Sequence, residues 1–386
     1  MALKIAERGV VPPFIVMDVM QAAAAREAAG RHVLHLEVGQ PGTPAPAPVR
    51  EAAKRALDDD RLGYTLALGI DPLRARIARF YGELYGVDLD PARVVVTVGS
   101  SGAFLLAFLA AFDAGDRVAL GYPAYPAYRH ILKTLGHRVV GLETGAESRF
   151  QPNPAMLDAA ARDGAIDGLV VASPSNPAGA MLDRPALAAL VDWCAAHGTR
   201  LISDEIYHGI AYGTPATTAL ALTDDAIVVN SFSKYFSMTG WRLGWMVVPA
   251  AMVRAVECLT QNLNIAPPTL PQLAAPVVFD HLDLCDALVA GYARNRRILL
   301  DGLPGAGFAR LAPADGAFYI YADVGHVTDD SLGFCARVLD EAGVAIAPGV
   351  DFDPLRGHRF VRMSFAGPTA DIEQAVQRLA AWGGAR

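Results

Sequence analysis

Ser231-Phe232-Ser233-Lys234-Tyr235-Phe236-Ser237-Met238-Thr239-Gly240-Trp241-Arg242-Leu243-Gly244 is the stretch from which the rest of this chain can be read. It follows Ala226-Ile227-Val228-Val229-Asn230, an apolar run with the character of a buried strand. Two hydroxyls precede a lysine, and an arginine follows eight residues later, flanked by Gly240 and Gly244. Hydroxyl hydrogen bonds from Ser231 and Ser233, with a charge-assisted fork from Arg242, suit a phosphate. Lys234 would then sit beside that phosphate with its amine free to form a Schiff base, once its ammonium is destabilised. A phosphate, an aldehyde and a lysine together suggest pyridoxal phosphate. Two rival readings are a solvated basic loop and the serine–lysine pattern of an acyl-transfer enzyme. The latter wants its serine at the start of a helix and a Lys-Thr-Gly partner. Ser231 adjoins a strand end and the chain has no Lys-Thr-Gly, so this reading ranks below the pyridoxal-phosphate one.

The segment resembles the lysine motif of the fold-type I pyridoxal-phosphate enzymes, specifically the class I/II aminotransferases, and matches it from Ser231 through Arg242. The resemblance implies an α/β fold of two parts. A large cofactor-binding domain over 45–280 has a mostly parallel sheet flanked by helices. A smaller α/β domain is made from both chain ends, 1–44 with an N-terminal arm and 281–386. The Pro-rich segment Thr43-Pro44-Ala45-Pro46-Ala47-Pro48 reads as the connector at the first boundary.

Length and composition agree. A chain of 386 residues is too long for one ordinary core, and 53% hydrophobic residues supply ample buried surface. Val/Ile/Leu runs alternate with alanine-rich helical stretches, which favours α/β. A net charge of −7 and the lack of a basic cluster with interleaved aromatics argue against nucleic-acid binding. Cys194, Cys258, Cys285 and Cys335 are far apart, with no CxxC and no metal spacing, and read as reduced thiols of a cytoplasmic protein. The nine histidines include no HExxH, so no metal is expected. The N-terminus lacks the apolar core of a signal peptide. The most apolar stretch, Ala103 to Phe112, is too short to span a bilayer.

Along the chain, strands are expected at Val33–Val38, Arg93–Val98, Asp116–Leu120, Gly168–Ala172, Arg200–Ser203, Gly316–Tyr321, Ala345–Gly349 and Phe360–Phe365. Helices are expected at Val16–Ala29, Val49–Asp58, Asp71–Tyr85, Ala103–Phe112 and Asp286–Leu300. Gly99-Ser100-Ser101-Gly102 stands at a strand-to-helix turn, where free backbone N–H groups bind anions. An aromatic such as Tyr125 can stack on a flat ring. Asn176 follows a buried strand, where its amide can donate to a ligand oxygen. Asp204 ends another strand, where a buried carboxylate needs a cationic partner. Asn176, Asp204 and Lys234 are 28 and 30 residues apart, each about one βα unit. Such units bring strand ends to one sheet edge, where α/β proteins bind ligands.

The resemblance assigns further roles. Gly39 in Val38-Gly39-Gln40-Pro41 matches the turn that approaches the substrate carboxylate. Tyr64 matches a tyrosine that reaches the cofactor phosphate of the neighbouring subunit, which implies a homodimer. Tyr125 matches the ring that stacks on the cofactor, Asp204 the partner of its ring nitrogen, and Asn176 with Tyr207 the holders of its phenolic oxygen. Ser100, Ser101, Gly102, Ser231, Ser233 and Arg242 would bind the phosphate, and Arg362 would clamp the substrate carboxylate, with Asn176 beside it. Lys234 would hold the cofactor as an imine and shuttle the Cα proton. The implied activity is ping-pong exchange of an amino group between an L-amino acid and a 2-oxo acid. A C–S (β) lyase on the same fold and an aspartate-specific transaminase remain as alternatives, and a non-catalytic regulator ranks lower. Gly349-Val350-Asp351-Phe352-Asp353 departs from the family by lacking a Phe-Gly. Pro267-Pro268-Thr269 departs by its doubled proline. No second arginine stands in a recognisable motif, and Phe14, Ile15, Tyr122 and Tyr125 are expected near the pocket. The leaning is therefore to a neutral or aromatic amino acid, with Arg74, Arg76 and Arg294 as possible sources of a second cation.

Overall fold

The computed structural model describes residues 3–384. Its main sheet has seven strands, in the order Val94–Thr97, Gly244–Val247, Ile227–Ser231, Arg200–Asp204, Gly168–Ala172, Arg117–Tyr122 and Arg138–Glu143. Only Gly244–Val247 runs antiparallel to its neighbours. The central strands are mostly apolar and almost wholly buried, as parallel strands covered by helices must be. One face carries Gly99–Ala111, an apolar helix that packs through Phe104 and Phe108 onto Val95, Val229 and Met246.

A four-stranded antiparallel sheet follows in sequence, in the order Ala347–Pro348, Phe360–Ser364, Tyr319–Asp323 and Arg310–Leu311. Leu34–His35 pairs in parallel with Val344–Ala345, tying the start of the chain to its end. The helix Leu282–Gly302 packs against the C-terminal helix Thr369–Trp382 beside this second sheet.

Several elements differ from their expected form. The helix expected from Ala103 begins at Gly99, so Ser100 and Ser101 lie within its first turn. The strand expected from Gly316 starts at Tyr319. Gly316 and Ala317 instead donate their N–H groups to Gly179 and Ile210, fastening this loop to the main sheet's connections. The strand expected over Ala345–Gly349 is two short pieces, because the chain steps from one sheet to another at Ile346. Val33–Val38 pairs as a ladder only at Leu34–His35. Beyond it, the carbonyls of Leu36 and Glu37 accept from Ser364 N and the Arg362 guanidinium.

Candidate active site

A cavity of about 230 Å³ lies beyond the carboxyl ends of the central strands. Its position follows from topology: Asp204 ends one strand, and Asn176 and Ser233-Lys234 follow the ends of its two neighbours. Gly39, Ser100, Ser101, Tyr125, Asn176, Asp204, Tyr207, Ser233, Lys234, Arg242 and Arg362, named from the sequence, all line it. Gly102, Ser231 and Tyr64 do not. Gly102 sits inside the helix against Val98. The Ser231 hydroxyl is turned to Ser233 Oγ (2.8 Å) and the Leu243 carbonyl (3.1 Å), so it backs Ser233 rather than facing the cavity. Tyr64 is 85% exposed.

One end of the cavity gathers the groups that a cradle for an anion would use. The first turn of Gly99–Ala111 presents backbone N–H groups, the hydroxyls of Ser100, Ser101 and Ser233 surround it, and Arg242 completes it. Gly99 has φ +65°, and a Cβ there would lie 2.4 Å from the Arg242 guanidinium. Glycine is therefore required for the arginine to approach the helix end.

Lys234 Nζ donates to the Gly39 carbonyl at 2.5 Å. Its ammonium is destabilised chiefly by burial, with further repulsion from Arg362 and Arg242, and its pKa is pushed down to about 8 against the pull of Asp204. Asp204 is pushed up to about 6, again by burial, although three groups favour its charge. Tyr128 donates its hydroxyl to Oδ2, Ile206 N donates to Oδ1 at 3.1 Å, and Lys234 attracts it. A carboxylate this buried needs a cationic partner on its open side.

Asn176 accepts from Arg362 at its amide oxygen (3.0 Å), leaving the amide nitrogen as its donor. Arg362 is 2% exposed, on an interior strand of the second sheet. Its guanidinium lies between the Tyr319 and Phe352 rings, 4.6 Å from each centroid, and also donates to the Glu37 carbonyl. The rings and these two bonds hold the guanidinium in place, and among the described residues its Nε has no partner. Tyr125 stands edge-on to Phe14 and Tyr128, with interplanar angles of 88° and 81°, which holds its ring in one orientation.

Tyr128, Tyr319, Gln40 and Thr239 also line the cavity without having been named as site residues, Tyr128 having read as a packing or substrate-side residue. Tyr319 shares a 2.7 Å hydroxyl–hydroxyl hydrogen bond with Tyr207. A Cβ on Gly39 would lie 2.0 Å from its oxygen, so this turn must be glycine. The available signals were period-two alternation for Tyr319 and, for Tyr128, its position one helical turn after Tyr125. Two residues expected near the pocket lie elsewhere. Ile15 faces a groove on the other side of its helix, and Tyr122 packs over Gly141. Arg74 and Arg76 are held by Val94 O, Ala92 O, Glu83 and Phe279 O, and none of Arg74, Arg76 and Arg294 lines the cavity. Among the described residues, no cluster of His, Cys, Asp or Glu is arranged to hold a metal, and no helix is long and apolar enough to cross a membrane.

A molecule carrying both a phosphate and an aldehyde would use the cradle and the amine together, and the buried Asp204 would meet a protonated ring between them. The residues present fit pyridoxal phosphate, and the fold places the protein among the fold-type I enzymes that use it. The chain belongs to the family described as aminotransferase class I and II, whose model matches residues 31–379. It is 53% identical to a valine–pyruvate aminotransferase of Mycobacterium tuberculosis, over 98% of both chains. The crystal structure of an aminotransferase from that organism superposes with a TM-score of 0.97, at 52% identity and full coverage of both. Aspartate aminotransferase from Thermus thermophilus, solved with maleate, gives 0.91 at 30% identity, covering 99% of this chain and 100% of that one. The protein is thus a pyridoxal-phosphate-dependent aminotransferase acting on an amino acid and a 2-oxo acid.

Proposed function

We propose that this aminotransferase takes its amino group from a neutral aliphatic L-amino acid of about valine's size and passes it to a small 2-oxo acid such as pyruvate. One observation carries this reading. Among the described residues, the only cations lining the cavity are Lys234, Arg242 and Arg362. Arg242 belongs to the phosphate cradle and Arg362 to the α-carboxylate, which leaves no cation of the same chain for a side-chain carboxylate. The remaining wall includes Phe14, Val16, Met17, Met20 and Val38. The relative named a valine–pyruvate aminotransferase supports the same substrates.

The residue roles are those the family resemblance assigns, and the gathering of these residues around one cavity supports them. Ser100, Ser101, Ser233 and Arg242 would hold the cofactor phosphate, with Ser231 orienting Ser233. Asp204, steadied by Tyr128, would pair with the ring nitrogen. Asn176 and Tyr207 would hold the phenolic oxygen, and Tyr125 would cover the ring. When bound, pyridoxal phosphate supplies an aldehyde for amine exchange and a ring that accepts electrons. Arg362 orients the substrate through its carboxylate, with the Gly39 turn alongside. Lys234 Nζ, partly unprotonated near neutral pH, removes the proton from the substrate Cα and later returns one during the reverse exchange.

The active species is proposed to be a homodimer. Tyr64 and Leu66 are 85% and 70% exposed on a loop pinned by Thr269 Oγ1 to the Gly63 carbonyl, as expected of side chains offered to a neighbour. The four cysteines are unpaired, which supports a cytoplasmic location. The division at 44/45 and 280/281 is kept as the proposed domain boundary, supported by the separate sheets.

The test is a comparison of kcat/KM for valine, alanine, leucine, phenylalanine, aspartate and glutamate, with pyruvate or 2-oxoglutarate as acceptor. Valine or alanine should lead. A preference for aspartate by more than about tenfold, roughly 1.4 kcal/mol, would overturn the substrate assignment.

A further inference from the structure

The helix Ile15–Ala28 supplies Val16, Met17 and Met20 to the cavity wall, yet it has no cap of its own. Its N-cap residue is Phe14, whose side chain cannot accept a hydrogen bond. The acceptor comes from 335 residues away: Val16 N donates to Asp351 Oδ2 at 3.2 Å. An anionic acceptor at a helix N-terminus meets both the free N–H groups and the positive end of the dipole.

Asp351 is 1% exposed, and its other oxygen, Oδ1, has no partner among the described residues. A buried carboxylate with one oxygen unsatisfied is costly, and a neutral side chain would avoid that cost. Its surroundings indicate what it supports. The Asp351 carbonyl accepts from Arg129 at 2.6 Å, on the helix Pro126–Thr134 that directly follows Tyr125. The next residue, Phe352, lies under the Arg362 guanidinium, packs with Val16 and Phe14, and accepts at its carbonyl from Ala124 N. One short segment therefore joins the carboxylate clamp, the aromatic residue of the cofactor site and the apolar wall. It is the same segment, Gly349 to Asp353, that departs from the family pattern in sequence.

We propose that Asp351 is a positioning residue for substrate selection. It seats the helix Ile15–Ala28 so that Val16, Met17 and Met20 close the cavity around a short aliphatic side chain. The proposal rests on the assigned reaction and on Arg362 as the carboxylate clamp. Asp351 does not line the cavity and acts only through the helix and Phe352.

The experiment pairs Asp351→Ala with Asp351→Asn in the cofactor-loaded enzyme and reads two quantities. The first is amide hydrogen exchange in the peptide spanning 14–20. The second is kcat and KM for valine and for phenylalanine, with pyruvate as acceptor. In Asp351→Ala, exchange at Val16 should rise about fivefold, the usual worth of a lost cap. KM for valine should rise by about the same factor with kcat changed less than about twofold, as for lost uniform binding. The valine-to-phenylalanine ratio of kcat/KM should fall. Asp351→Asn keeps an acceptor oxygen and should preserve both the exchange protection and the ratio. Asp351→Leu, close in shape and without an acceptor, replaces the alanine variant if that one does not fold. Unchanged exchange in Asp351→Ala would overturn the seating. Faster exchange with an unchanged ratio would overturn the role in selection, and so would Asp351→Asn matching the alanine variant in both readouts. Failure of the wild-type enzyme to transaminate any neutral amino acid would instead refute the proposed function, whatever the exchange data show.

Discussion

The acidity of Lys234 is the property on which the chemistry turns, and it can be measured without turnover. In the cofactor-free protein its pKa should lie near 8 rather than 10.5, first because of burial, then because of Arg362 and Arg242. At pH 7 about one lysine in ten would carry a free amine, against about one in three thousand for an unperturbed side chain. The assay is acylation of the cofactor-free protein by an amine-specific reagent across a pH series, with the Lys234 peptide quantified by mass spectrometry and exposed Lys54 as internal reference. The Lys234 profile should have its midpoint near pH 8. Asp204→Asn should move it lower, because Asp204 is the group that favours the ammonium. The same shift is a statement about stability. Between about pH 8 and 10.5 the unfolded chain binds the proton that the folded chain does not, so stability rises with pH across that window. The full rise is roughly 3 kcal/mol and should be absent from Lys234→Met. A Lys234 midpoint above about 10, or an upward movement in Asp204→Asn, would refute the electrostatic account of the site.

In Lys234→Ala, cofactor should bind but borohydride should no longer fix it to the protein, and turnover should fall by several orders of magnitude; a retained adduct would place the link elsewhere. Asp204→Ala should slow the amino-acid half-reaction by about a hundredfold or more, measured by stopped-flow absorbance. In the cofactor-free protein Asp204 should itself titrate near 6. It is the folded state that holds this proton more tightly, so the group's contribution to stability falls as pH rises from about 3.8 to 6. Arg362→Lys loses the planar fork held between Tyr319 and Phe352, and kcat/KM should drop about a hundredfold, roughly 3 kcal/mol, in steady-state assays. Subunits carrying Tyr64→Phe, mixed with subunits carrying Lys234→Ala, should regain part of the lost activity in hybrid dimers; no recovery after verified exchange would exclude a shared site.

Much of the molecule could be read from local sequence, because local chemistry dictates it. The helix Asp71–Tyr85 runs as expected from an Asp-Pro start to Gly86, which adopts the left-handed turn at φ +67° that favours glycine. The apolar strands Gly168–Ala172 and Ile227–Ser231 were legible from their run length, and the βα spacing was enough to bring Asn176, Asp204 and Lys234 to one edge. Which of two neighbouring side chains faces the cavity was not legible. Ser231 and Ser233 read as equivalent hydroxyls, but the chain turns between them, and only Ser233 faces the cavity. Phe14 and Val16 line the pocket whereas Ile15 does not, a distinction set by how the helix is rotated against its neighbours. Tyr128 meets Asp204 across 76 residues, Tyr207 meets Tyr319 across 112, and Asp351 caps a helix across 335. Sequence alone determined the strand order's raw material, the lysine motif and the cofactor, since these depend on residues within one βα unit of each other. The tertiary structure alone decided which groups hold Asp204, what encloses the substrate's side chain and how Lys234 is desolvated. Those properties arise from contacts between segments that are brought together only when the sheets pack.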